Sequence, residues 1–173
     1  MRKLLFQTVL QRPVTERVVP LVDADLAALA AELDALVRRR LGRSLAIRQV
    51  DAGSCNGCEL EIHALNNPVY DIERFGIRFV ASPRHADVLL VTGPLTRNMR
   101  EALERTYAAT PNPKWVVAVG DCAADGGVFA GSYACCAGVA EAVPVDLTIP
   151  GCPPTPAQLL DGLRRLLECS TRA

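Results

Sequence analysis

Trp115-Val116-Val117-Ala118-Val119 is an unbroken apolar run that stops at Gly120-Asp121-Cys122. A strand of that kind has no polar face, so it must be covered on both sides. Leu45–Val50, Ile77–Ala81, Val88–Val91 and Val145–Ile149 read as further strands. Between them lie helical patterns: 58–66, a polar stretch over 97–109, and 156–169 with Leu159, Leu160, Leu163, Leu166 and Leu167 on one face. Strands alternating with helices predict an α/β, three-layer fold with a central parallel sheet and helices on both faces. In that architecture ligands sit at the carboxyl ends of the strands.

Residues 1–22 carry Pro13 and Pro20 without a period and read as an extended arm. Residues 23–41 read as one helix. Asp23 or Asp25 can cap its start, Leu26, Leu29, Leu33, Leu36 and Val37 share a face, and Arg38, Arg39 and Arg40 suit the negative end of the dipole. Gly42 suits the stop. The expected organisation is a docking extension over 1–42 and one domain over 43–173. The 19 basic and 19 acidic residues cancel, but residues 1–50 hold nine basic and five acidic. That asymmetry points to a partner or an anionic surface near the start of the chain. The composition excludes a disordered chain, a collagen-like chain and a polybasic nucleic-acid binder. No stretch reaches the roughly 18–20 apolar residues of a membrane span. The apolar opening breaks at Gln7, Gln11 and Arg12 with no cleavage site after it, so a cytoplasmic chain is expected.

Seven cysteines in a reducing compartment favour metal ligands or redox groups over disulfides. Three loops carry cysteine just past a strand: Asp51-Ala52-Gly53-Ser54-Cys55-Asn56-Gly57-Cys58-Glu59, Gly120-Asp121-Cys122-Ala123, and Pro150-Gly151-Cys152-Pro153-Pro154. In a parallel sheet all three converge on one edge. Cys55, Cys58, Cys122 and Cys152 then suit a [4Fe–4S] cluster or tetrahedral zinc, and Cys55 with Cys58 alone suits a thioredoxin-like dithiol. Single cysteines in the second and third loops favour iron–sulfur over the paired spacing of structural zinc. Gly57, Gly120 and Gly151 allow close backbone approach, Pro153 turns the chain away, and the helix beginning near Cys58 points its positive end at the site. Glu59 and Glu61 either couple to the site or serve the dipole of that helix. Cys135, Cys136 and Cys169 read as non-ligands, and His63 and His85 lack a second histidine nearby.

These loops, with Asn67-Pro68-Val69-Tyr70-Asp71-Ile72-Glu73-Arg74-Phe75-Gly76 and Ser82-Pro83-Arg84-His85-Ala86-Asp87-Val88, carry a resemblance over about residues 45–168. The chain resembles the small iron–sulfur subunit shared by complex I, where it is the B subunit of NADH:quinone oxidoreductase, and the membrane-bound group 4 [NiFe] hydrogenases of the formate-hydrogenlyase type. The resemblance implies a flavodoxin-like fold and one [4Fe–4S] cluster on Cys55, Cys58, Cys122 and Cys152. It implies an electron-transfer role with no catalytic site in this chain. The implied partners are a large [NiFe]-hydrogenase-like (D-type) subunit, a ferredoxin-like iron–sulfur subunit and membrane-embedded subunits, with quinone at the large-subunit interface in the complex I case. The implied location is the cytoplasmic face of the inner membrane, peripherally bound. B subunits have adjacent cysteines in the first loop, whereas this chain has Cys55-Asn56-Gly57-Cys58, so the hydrogenase branch is expected.

Overall fold

The computed structural model describes residues 24–169. The expected arm over 1–22 and the candidate cap Asp23 lie outside the described residues. Five strands form one sheet: β1 (Leu45–Asp51), β2 (Ile77–Phe79), β3 (Val88–Thr92), β4 (Trp115–Val119) and β5 (Leu147–Ile149). Their order is β2-β1-β3-β4-β5 and every pairing is parallel. This is the flavodoxin-like strand order, whose direction reverses between β1 and β3.

The alternation of the strands explains the two covered faces. Leu45, Ile47, Val88, Leu90, Trp115, Val117, Val119 and Ile149 enter one core. Helices α1 (Ala24–Leu41), α2 (Gly57–Ala64) and α5 (Pro156–Cys169) cover that face. Val50, Leu89, Val91, Val116 and Ala118 enter the other core, under α3 (Arg97–Ala109) and α4 (Asp121–Asp125). Leu33, Leu36 and Val37 of α1 are buried in the first core and α1 packs on α5. The helix grouped with the arm on sequence grounds therefore contributes to the body. Asp25 lies inside its first turn, one residue after the start, where its charge still suits the dipole.

Two strands are shorter than their apolar runs. After Phe79, Val80 donates to the Ile47 carbonyl, and the chain then turns through Ser82-Pro83. Before Leu147, Asp146 spends its side chain on the Val116 N–H at 2.9 Å, and the β4–β5 ladder begins at Leu147. The five-residue helix α4, directly after β4, has no counterpart in the sequence reading.

Candidate metal centre

The first cysteine loop is shaped by Asp51 at the end of β1. Its Oδ1 accepts the N–H groups of Gly53 and Ser54 at 2.7 and 2.8 Å, which folds the chain back over the strand end. Ser54 Oγ then accepts the Asn56 N–H, and Asn56 takes a left-handed conformation with φ 70° ahead of α2. Cys55 and Cys58 thus lie on either side of the entry to α2.

The second and third loops are tied to each other. Asp121 N–H donates to the Gly151 carbonyl at 3.0 Å, and Asp121 Oδ1 accepts the Gly151 N–H at 2.8 Å. This reciprocal pair holds Cys122, on α4, beside Cys152, after β5. The Val128 N–H bonds the Cys122 sulfur.

Cys55, Cys58, Cys122 and Cys152 line one small cavity of about 100 Å³, together with Gly57, Gly151 and Pro153. All four sequence-expected thiols are therefore brought together at the carboxyl ends of β1, β4 and β5. Cys55 and Cys152 are exposed, while Cys58 and Cys122 are half-buried. The close approach depends on glycine at position 120: a Cβ there would stand 2.8 Å from Cys58 Sγ, and φ is +86°. Gly127 plays the same part for Cys122, whose Sγ would lie 3.0 Å from an added Cβ. Gly127, Asp121 and the Val128 N–H were not anticipated as site residues. The signal for Asp121 was its place between Gly120 and Cys122 at a strand end.

Burial pushes the Cys58 thiol up to about 12, with the Glu59 charge next in effect and then Cys122, Cys55 and Cys152. Burial also raises Cys122, followed by the proximity of Cys152. The mutual effect of these thiols reports their convergence. A positively charged occupant would offset that effect at Cys58 and Cys122 and favour their thiolates. Glu59 is buried, and neither carboxylate oxygen has a hydrogen-bond partner among the described residues. Glu61 is partly exposed and does not line the cavity.

The donor set, four thiols around one cavity, is of the kind a polynuclear iron–sulfur cluster takes. Among the described residues no group of three or more His, Cys, Asp or Glu is placed to hold a metal ion. Cys135 and Cys136 line a separate hollow of about 560 Å³ with Arg97 and Arg100, and Cys169 is exposed at the end of α5. His63 and His85 are both exposed. Among the described residues no helix is long and apolar enough to cross a membrane.

Comparison with known proteins follows the same residues. The family of the 20 kDa subunit of NADH ubiquinone oxidoreductase matches residues 55–166. The chain belongs to this family. Formate hydrogenlyase subunit 7 of Escherichia coli (strain K12) is 46% identical over 146 residues, which is 84% of this chain and 56% of that protein. The chain thus spans little more than half the length of this relative. The probable membrane-bound hydrogenase subunit mbhJ of Pyrococcus furiosus is 48% identical over 74% of this chain and 77% of its own length. Among solved structures, a chain of the membrane-bound sulfane sulfur reductase, an archaeal respiratory membrane complex, superposes with a TM-score of 0.65. It shares 36% identity and covers 79% of this chain and 74% of its own. Members of the family thus serve in multisubunit oxidoreductase complexes, and the hydrogenase relatives agree with the branch expected from the first loop.

Proposed function

We propose that this chain is the electron-transfer subunit of a membrane-associated group 4 hydrogenase-type complex of the formate-hydrogenlyase kind. It holds one [4Fe–4S] cluster on Cys55, Cys58, Cys122 and Cys152. The observation that carries the reading is the convergence of these four thiols, from three separate strand-end loops, on one cavity. Such a cluster supplies one-electron transfer when bound.

The chain's own residues do the rest. Gly57, Gly120 and Gly127 keep side chains out of the space around the sulfurs. The Val128 N–H bonds the Cys122 sulfur, a contact that stabilises negative charge there and tunes a bound group. The cross-tie of Asp121 and Gly151 fixes the spacing of two ligand loops. No catalytic residue is assigned to this chain. The reading places a large [NiFe]-hydrogenase-like subunit at the exposed Cys55 and Cys152 side, a ferredoxin-like subunit as electron donor, membrane-embedded subunits beneath, and the whole at the cytoplasmic face of the membrane. The complex I arrangement, with quinone at the large-subunit interface, is the second reading, favoured by the family match itself.

Anaerobically purified protein is expected to hold about four irons and four acid-labile sulfides per chain. A reduced EPR signal should be present and should vanish in Cys122→Ala. A thiol oxidoreductase would need only Cys55 and Cys58 and would survive that substitution. A zinc-stapled interaction module would show zinc and no EPR signal. Either result overturns the proposal.

A further inference from the structure

Beside the cysteine cavity runs a stretch of surface without charge. Residues 126–138 hold no Asp, Glu, Lys, Arg or His. They bear three of the five exposed large apolar side chains among the described residues: Val128 at 79%, Phe129 at 39% and Tyr133 at 88% exposure. A fourth, Leu60, lies two residues past Cys58 in the first turn of α2. A protein surface ordinarily scatters such side chains among charged ones, and their concentration in one uncharged stretch marks a contact face.

The stretch is fixed in shape. The Phe129 and Ser132 N–H groups donate to the Gly126 and Phe129 carbonyls at 2.9 and 3.0 Å, and the Cys136 N–H donates to the Leu95 carbonyl at 2.8 Å. A surface already held in this way meets a partner at little ordering cost. Its backbone also reaches the cavity. An added Cβ on Gly127 would stand 3.0 Å from Cys122 Sγ, and the Val128 N–H bonds that sulfur. Val128 therefore has its amide on a cysteine of the cavity and its side chain in water. A partner seated on that side chain also holds the amide. Lipid does not suit as the occupant. The 3-10 turn Gly127–Phe129 is followed by irregular chain, whose N–H and C=O groups would lose water in hydrocarbon without gaining partners. A polypeptide supplies an apolar face and hydrogen-bonding groups together.

We infer that residues 127–133 anchor the large subunit through an uncharged, apolar face of that partner, and that docking there sets the Val128 N–H on the Cys122 sulfur, so that the reduction potential of the cluster depends on the partner. Hydrogen bonds to sulfur and solvent exposure are the levers through which a protein moves such a potential. The inference rests on the assembly and the cluster of the proposed function.

The test uses the complex purified through a tag on the full chain. With Tyr133→p-benzoyl-phenylalanine, irradiation is expected to join position 133 to a peptide of the large subunit. A link to lipid, to a second copy of this chain or to this chain's own residues overturns the inference, as does the absence of any link. In Phe129→Asp with Tyr133→Asp, recovery of the large subunit should fall roughly tenfold. Val69→Asp, on another exposed side chain ahead of β2 at the far end of the sheet, should leave recovery unchanged. Full recovery in the double variant overturns the docking, and so does an equal fall in Val69→Asp. EPR redox titration reads the coupling. Tyr133→Ala should shift the midpoint potential in the complex toward that of the chain alone. In the chain alone it should leave the potential unchanged, because the side chain there lies in water. No shift in the complex, or the same shift in both, overturns the coupling. A wild-type chain without iron overturns the cluster reading and the coupling with it, while the position-133 link still decides the docking. A wild-type chain that purifies alone overturns the assembly reading as well.

Discussion

Gly120 shows how one residue decides whether the four thiols can meet. Its φ of +86° is strained for any residue with a side chain, and an added Cβ would press on Cys58 Sγ at 2.8 Å. Gly120→Ala is expected to cost about 1–3 kcal/mol in urea unfolding. It should also lower iron per chain while all four cysteines remain. Wild-type iron content and stability in that variant would contradict this account of the loop. Cys58 carries a second consequence. Its thiol is raised from 9.0 to about 12, mainly by burial, so the native metal-free chain keeps a proton that the unfolded chain releases. The stability tied to that proton is complete below about pH 9 and is lost as pH rises from about 9 to 12. Metal-free protein should therefore weaken across that window, and Cys58→Ala should weaken less steeply. Urea titrations of both proteins at the two ends of the window check it, and equal slopes would count against a buried, protonated Cys58.

Elements are registered by a buried acid at the far end of the sheet from the cysteines. Asp87, just before β3, is 7% exposed; its Oδ2 accepts the Ala46 N–H at 2.9 Å and its carboxylate takes two hydrogen bonds from Arg43. Asp87→Ala would leave a buried N–H without a partner and is expected to cost about 2–4 kcal/mol. Arg43→Ala should cost less than about 1 kcal/mol, because that side chain is 59% exposed. Chemical unfolding of the two variants separates the cases, and equal losses would mean the ion pair, not the N–H, sets the register. Periodicity made the elements legible in proportion to their length: the helices over 97–109 and 156–169 and the run Trp115–Val119 lie where the sequence places them. Short elements set by tertiary ties were not legible. Helix α4 starts where the Gly120 N–H donates to the Ile149 carbonyl and Asp121 pairs with Gly151, thirty residues away from it, and no local pattern encodes that. The four thiols were legible because each follows a strand; Gly127 and the Val128 N–H were not, since the three-residue 3-10 turn Gly127–Phe129 that returns to the Cys122 sulfur is too short to leave a period in the sequence.

At the scale of the whole molecule, the chain divides by charge more sharply than by packing. Buried core residues run from Ala30 to Leu167 over the two faces of the sheet, and all four cavity cysteines lie beyond residue 50. Residues 1–22 carry four basic side chains against one acidic. A cationic segment attached to a body that holds its own core suits attachment to an acidic partner or an anionic surface, an interaction that salt screens within about 10 Å at 0.1 M ionic strength. Deleting residues 1–22 should therefore leave iron and sulfide per chain at the wild-type value. The same deletion should release the chain from its membrane fraction at a lower salt concentration than the full-length protein. Sedimentation of membranes across a salt series, with iron measured on the released chain, reads both outcomes. Loss of iron in the deletion would mean that the opening residues help build the metal centre, and an unchanged salt profile would mean that attachment runs through the body alone.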